Sequence, residues 1–246
     1  MSANNEFRGA RVLVVGGSSG IGLALAERLL ADGAEVTIAG RSAARLAQAQ
    51  ARLGGEGRVR AVALDIADEA QVAGLFARSG PLDHIVTTAA DIAGGYELLG
   101  SLDLAAARRV ADSKVFGPLL LAKHGAPVLA ATGSLTFTSG IAAYRPSARG
   151  AVVAAVNGAL DALGKALAIE LAPLRVNVVS PGWVDTPIWS AVAGEAKTEK
   201  LAAMAQRLPV GRIGAPEDIA DAIRFVMGNG FVTGSVLHVE GGHRLV

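Results

Sequence analysis

Val15-Gly16-Gly17-Ser18-Ser19-Gly20-Ile21-Gly22 is the stretch that decides how this chain folds. A β-branched run, Val12–Val15, leads into it, and an apolar-periodic stretch, Ile21–Ala31, leads out. The pattern predicts a strand, a tight turn and a helix. Gly16, Gly20 and Gly22 carry no Cβ, so backbone N–H groups there can approach a pyrophosphate. The helix N-terminus adds favourable partial charge. Ser18, Ser19 and Ile21 fall in the same expected cradle. Glycine-rich turns are common, and it is the placement between strand and helix that gives this one its weight.

The same alternation continues outward. Glu35–Ala39, Arg58–Leu64, His84–Thr88, Ser134–Thr138, Val176–Ser180 and Val236–Val239 read as further strands, several apolar on both faces. Ser42–Leu53, Glu69–Arg78, Leu104–Leu129, Arg149–Leu171 and Glu217–Met227 have helical spacing, the last with Pro216 at its start. Strand-helix alternation over the whole length predicts an α/β fold: one doubly wound parallel sheet with helices on both faces and right-handed crossovers. No Pro/Gly/Ser-rich linker, repeat or low-complexity tract divides the chain, so residues 1–246 read as one domain. Residues 186–209 are the main irregular insertion and a candidate lid over a pocket.

Composition narrows the classes. The 246 residues are 51% apolar and 18% charged, ample for a core, and the formal charge of +1 gives no reason to expect nucleic acid. Zero cysteines rule out disulfides and thiolate metal sites. Met1–Arg11 holds no signal-like apolar stretch, and no run of roughly 18 apolar residues suggests a membrane span. The expectation is a soluble, cytoplasmic protein acting on a small molecule.

The second strand bears on the coenzyme. A carboxylate about twenty positions past the turn would bind a ribose 2′-hydroxyl. This strand instead ends Ala39-Gly40-Arg41-Ser42. Arg41 suits a 2′-phosphate, which favours NADP (NADPH) over NAD; its plainer role is a solvated arginine at a helix start. Asp65, with Ile66 beside it after the third strand, could accept from the adenine amino group or cap the next helix.

Over essentially its whole length the chain resembles the short-chain dehydrogenase/reductase family. The matching pieces are Gly16–Gly22, Leu64-Asp65, Arg175–Pro187, Leu208–Ala220, Phe231-Val232-Thr233-Gly234 and Val239–Gly242. The resemblance implies a Rossmann sheet and a nicotinamide lying near Pro181, Gly182, Val184 and Thr186. Val184 would meet its carboxamide through the backbone, and Thr186 would meet the carboxamide or a phosphate. It also implies homodimers or homotetramers built on the two long helices.

Departures from the family pattern sit at the chemistry. Where the family has Asn-Asn-Ala-Gly after the fourth strand, this chain has Thr87-Thr88-Ala89-Ala90, with Ala89 left against the coenzyme. Of the family's Asn, Ser, Tyr and Lys, the Ser fits Ser139. Lys114 stands at the Asn position, Val153 at the Tyr position and Asn157 at the Lys position, with one extra residue between Ser139 and Val153. The Lys/Asn exchange is similar to that in polyketide ketoreductase domains. It keeps one cation near the reacting centre, where an ammonium stabilises negative charge from either helix; otherwise Lys114 is a surface lysine.

Val153 cannot donate a proton. Tyr144, five residues after Ser139, has the right group for an acid, or is a loop aromatic covering apolar surface. Lys114 could donate if desolvation lowered its pKa. Arg149 and Asn157 flank Val153 at four-residue spacing, and Arg149 could hold an anionic substrate. Asp91 lies where substrate pockets form, or caps a turn. His84, His124, His238 and His243 lack metal-ligand spacing. Three functions stay open: an NADP(H)-dependent oxidoreductase on a carbonyl or alcohol, a silent NADP(H)-binding sensor, and a dehydratase or isomerase using the same cleft.

Overall fold

Val12 and Val14 of the first strand pack into one core and Leu13 and Val15 into another, because successive side chains leave a strand on opposite faces. A strand that is apolar on both sides must be covered on both sides. The computed structural model describes residues 7–54 and 57–246 and builds that arrangement; residues 1–6, part of the segment searched for a leader, lie outside the described residues. The strands are β1 (Arg11–Val15), β2 (Glu35–Gly40), β3 (Val59–Ala63), β4 (Leu82–Thr87), β5 (Leu129–Thr138), β6 (Arg175–Pro181) and β7 (Val236–Val239). They form one seven-stranded sheet in the order β3-β2-β1-β4-β5-β6-β7, parallel throughout. The order reverses between β1 and β4, and a crevice opens at the carboxyl ends of strands where it does.

The helices are α1 (Gly20–Ala31), α2 (Ala43–Leu53), α3 (Glu69–Ser79), α4 (Leu104–Ala111), α5 (Gly117–Gly125), α6 (Ala151–Glu170), α7 (Ile188–Ala193), α8 (Lys197–Arg207) and α9 (Pro216–Gly228). Leu25 and Leu29 of α1 and Ile219, Ile223 and Val226 of α9 pack on one face of the sheet. Val72, Leu75 and Phe76 of α3 and Leu121 of α5 cover the other near β1. Leu160 and Leu167 of α6 cover β5 and β6 through Leu135, Phe137, Val176 and Val178. α6 is long and apolar enough to cross a membrane by length and composition. Here it lies along the sheet, with Val153, Asn157, Leu160 and Asp161 buried.

Several sequence expectations are corrected. The helix expected over Leu104–Leu129 ends at Gly125 and is interrupted at Asp112–Phe116 by a π-helical turn. Arg149 lies outside α6, with φ +70°, so it does not share a helical face with Val153 and Asn157. Residues 186–209 are not irregular but carry α7 and α8. Asp68, not Asp65, caps α3, through the Gln71 amide; the Asp65 carboxylate instead accepts from the Ala67 amide at 3.0 Å.

Candidate active site

The glycine turn is closed to any side chain. A Cβ on Gly16, whose φ is +90°, would lie 2.7 Å from the Ala89 nitrogen and from the Thr88 hydroxyl. A Cβ on Gly22 would lie 2.4 Å from the Gly16 carbonyl oxygen. The Thr88 hydroxyl that replaces a family asparagine reaches the Val15 carbonyl at 3.4 Å and so ties β4 to the turn. Ala89 donates its amide to the Thr87 hydroxyl. Ser19 is the α1 N-cap and offers no side-chain bond to the first amides of that helix. Those amides, the donors a pyrophosphate needs, are left for another acceptor.

The far side of the cradle comes from β6. Thr186 packs against Gly20, its Cγ2 3.3 Å from where a Cβ would be. A parallel bridge joins Val184 to Gly214, made by the Gly214 amide with Trp183 and the Asp185 amide with Gly214. The bridge leaves the amide and carbonyl of Val184 itself directed away from Gly214. Gly182 is held by the Val239 carbonyl at 2.9 Å and continues from Pro181, the last residue of β6. Trp183 and Trp189 stack at 4.2 Å, and Lys197 pairs with Asp185 at 2.7 Å. These two contacts seat α7 and α8 beside the cleft. The Ile66 side chain is buried against Gly117, so only its backbone could face a coenzyme. Ser42 caps α2 through the Arg45 amide, and Ser18 lies against Gly40. Arg41 pairs with Asp91 at 2.7 Å. Donor amides, a cradle that a Cβ would fill and a cation beyond it fit a phosphorylated dinucleotide.

At the ends of β5 and α6 the structure brings Lys114, Ser139 and Asn157 together. Lys114 sits in the π-helical turn, buried, and donates to the carbonyl oxygens of Thr138 at 2.7 Å and Ser139 at 3.3 Å. It is not a surface lysine. Burial pushes its ammonium down to about 8, against the pull of the Asp161 charge. Asn157 packs on Gly140, its Nδ2 3.0 Å from where a Cβ would be. The Ser139 hydroxyl and the Asn157 carbonyl oxygen are buried with no partner among the described residues. Orphaned polar atoms at a strand end ask for a ligand or water. A hydroxyl, an ammonium and an amide thus lie at the end of one strand, the ammonium on the Thr138 and Ser139 carbonyls and the amide against Gly140.

The other candidates are placed differently. The Tyr144 hydroxyl donates to Asp161 at 2.8 Å, one turn beyond Asn157, and its ring meets His238 edge-on at 4.4 Å. Burial and then the Asp161 bond push its phenol up to about 12, and neither the acid nor the apolar cover expected of Tyr144 includes this carboxylate partner. Arg149 is engaged by the Tyr96 carbonyl and Glu97. Val153 is buried under Gly95, whose Cβ would stand 3.2 Å from it. Sequence reading missed Asp161, although a carboxylate in the middle of an apolar helix, four residues past Asn157, was a signal. It also missed Ser113, whose hydroxyl accepts from the Asp91 amide at 3.0 Å. Among the described residues, no group of three or more His, Asp or Glu side chains could hold a metal.

A doubly wound sheet with a glycine-lined cradle at its switch point defines a dinucleotide-binding oxidoreductase architecture. The family profile described as enoyl-(acyl carrier protein) reductase matches residues 15–244. The short-chain dehydrogenase/reductase ATR9 of Stachybotrys chlorohalonatus is 34% identical, over 96% of this chain and 97% of that protein. The structure of the MalC reductase/Diels-Alderase of Malbranchea aurantiaca superposes with a TM-score of 0.91 at 32% identity, covering 99% of this chain and 100% of that one. A small-chain dehydrogenase in complex with NADPH gives 0.76 at 35% identity, over 97% and 100% of the two chains. The chain belongs to the short-chain dehydrogenase/reductase family of oxidoreductases.

Proposed function

We propose that this protein is an NADP(H)-dependent oxidoreductase that reduces a carbonyl, or oxidises an alcohol, on a small molecule. The observation that carries this reading is the placement of the Lys114 ammonium on the backbone of Ser139, with Asn157 against the next residue, Gly140, in a buried polar cluster at the end of β5. Bound NADPH would supply the hydride. The amides of the first turn of α1 would hold its pyrophosphate, Arg41 its 2′-phosphate and the Val184 backbone its carboxamide. The NADPH complex of one solved relative supports the choice of coenzyme.

On the protein side, the Ser139 hydroxyl donates to the substrate oxygen. Lys114 stabilises the charge that develops there and is the proton source, since its ammonium is tuned toward neutral pH and the Tyr144 phenol away from it. Asn157, whose carbonyl oxygen is buried without a partner among the described residues, would organise water or a coenzyme hydroxyl beside them. α7 and α8 form the lid that limits water. Exposed Phe116, Leu119 and Ile169 on α5, its preceding turn and α6 suit a homodimer or homotetramer, and the absence of cysteine suits a cytoplasmic setting.

NADPH consumption with a panel of aldehydes and ketones tests the proposal. Wild type should turn over at least one member and Lys114→Met should lose about 10²–10⁴ of that rate. Tight NADPH binding with no turnover of any carbonyl would overturn it in favour of the sensor reading, which the burial of Val153 under Gly95 supports. The similarity to MalC, named a reductase/Diels-Alderase, keeps a non-redox reaction in the same cleft as the second reading; product without coenzyme oxidation would reveal it.

A further inference from the structure

β2 and β4 lie on either side of β1, so the two residues that follow them are about 10 Å of sheet apart. Arg41 follows β2, Asp91 lies beyond β4, and their side chains nevertheless meet at 2.7 Å. The pair therefore arches over the end of β1, where Gly16 begins the cradle.

Its two halves are not equally free. Asp91 is fixed: its carboxylate accepts from the Ala93 amide at 3.1 Å, its own amide donates to the Ser113 hydroxyl at 3.0 Å, and its side chain is 24% exposed. Arg41 is the movable arm, 56% exposed, and Asp91 is the one carboxylate it reaches among the described residues. A guanidinium that gives its Nη1 to a carboxylate and is turned toward it presents fewer N–H groups to a second anion.

We propose that Asp91 is a coenzyme-selectivity residue that competes with the coenzyme 2′-phosphate for the Arg41 guanidinium. This rests on the NADP(H) reading above. A ligand that needs a state populated only in part binds weaker by that fraction. An ion pair as exposed as this one holds the arginine with modest strength, which corresponds to about a two- to sixfold weakening of NADPH binding. NADH has no 2′-phosphate and makes no claim on the arm. The chain thus limits its grip on NADPH through its own carboxylate, which would favour release of the coenzyme.

Fluorescence titration of the full chain with NADPH and with NADH tests this. Asp91→Asn removes the charge and keeps an oxygen for the Ala93 amide. It should tighten NADPH about two- to sixfold and leave NADH within about twofold. In an Arg41→Ala background the same change should alter neither. Equal tightening of both coenzymes, or weaker NADPH binding by Asp91→Asn, overturns the inference. If Arg41→Ala lowers the NADPH-to-NADH affinity ratio yet Asp91→Asn does not tighten NADPH, this inference alone fails. If Arg41→Ala leaves that ratio at its wild-type value, the NADP(H) reading fails with it.

Discussion

Tyr144 gives its phenolic hydrogen to the buried carboxylate of Asp161 at 2.8 Å, across 17 residues of chain. The other Asp161 oxygen has no partner among the described residues. The bond therefore carries much of what makes a carboxylate tolerable on the inner face of α6. Tyr144→Phe should destabilise the fold by about 1–3 kcal/mol, the cost of a buried acceptor left unmade, as read by chemical denaturation. Single-turnover hydride transfer at neutral pH should fall less than about tenfold. A drop of about 10²–10⁴ would return the phenol to the role of acid.

Lys114 has opposite consequences for turnover and for stability. Burial holds its folded value at about 8, below the usual 10.5. With Lys114 as the proposed proton source, carbonyl reduction would need the ammonium, so kcat/KM should be level below pH 8 and fall about tenfold per unit above it. Between about 8 and 10.5 the unfolded chain holds a proton that the folded chain has released, so the contribution of this group to stability rises with pH. A pH-rate profile beside pH-dependent unfolding separates the two. Lys114→Met should flatten both limbs; an unchanged alkaline limb in that variant would place the titration elsewhere.

The strands, the glycine turn between β1 and α1 and the nearness of Lys114 to Ser139 were legible in the sequence, for a physical reason. Period-two apolar runs and glycines at a strand end are local signals, and the motif counts back from Gly117 and Glu170 needed no structure. What was illegible depends on register or on distance. A π turn shifts hydrogen bonding by one residue without demanding any residue type, so Asp112–Phe116 read as ordinary helix. Arg41 finding Asp91 needs the chain order of the sheet, and Tyr144 finding Asp161 needs the path of the loop between β5 and α6, before the partners become neighbours. The misplacement of Arg149 has a local cause: only its left-handed backbone sets it apart from the helix that follows.

Val153 is buried against Gly95, and a Cβ on that glycine would also stand 3.3 Å from Val110. A tyrosine there has no room without lifting the segment between β4 and α4. Val153→Tyr should therefore cost about 1–3 kcal/mol by overpacking, measured as a lower denaturation midpoint at unchanged m-value. Wild-type stability in that variant would show that the segment is not seated on α6.

His84 is far from the cleft, with Nδ1 2.8 Å from the Ser134 hydroxyl and its ring edge-on to Phe7. Burial, helped by the Arg175 charge, pushes it down to about 4. Between about 6.5 and 4 the unfolded chain takes up a proton that the folded chain refuses. Stability from this residue is thus complete above 6.5 and is lost as pH falls to 4, on the order of 3 kcal/mol in all. Urea unfolding from pH 7 to 4 should show that slope, and His84→Gln should remove it; the same slope in both proteins would assign the acid sensitivity to other groups.

The π-helical turn at Asp112–Phe116 has a consequence for the chain on either side of it. One surplus residue in a helix advances every later side chain by about 100° around the axis. The faces of α4 and α5 are therefore set independently: α4 follows the loop beyond β4, α5 the sheet. Excising one residue from this turn would restore ordinary winding and swing the Lys114 amine away from the Thr138 and Ser139 carbonyls, so its seat is bound to an irregularity of winding rather than to the identity of a neighbour.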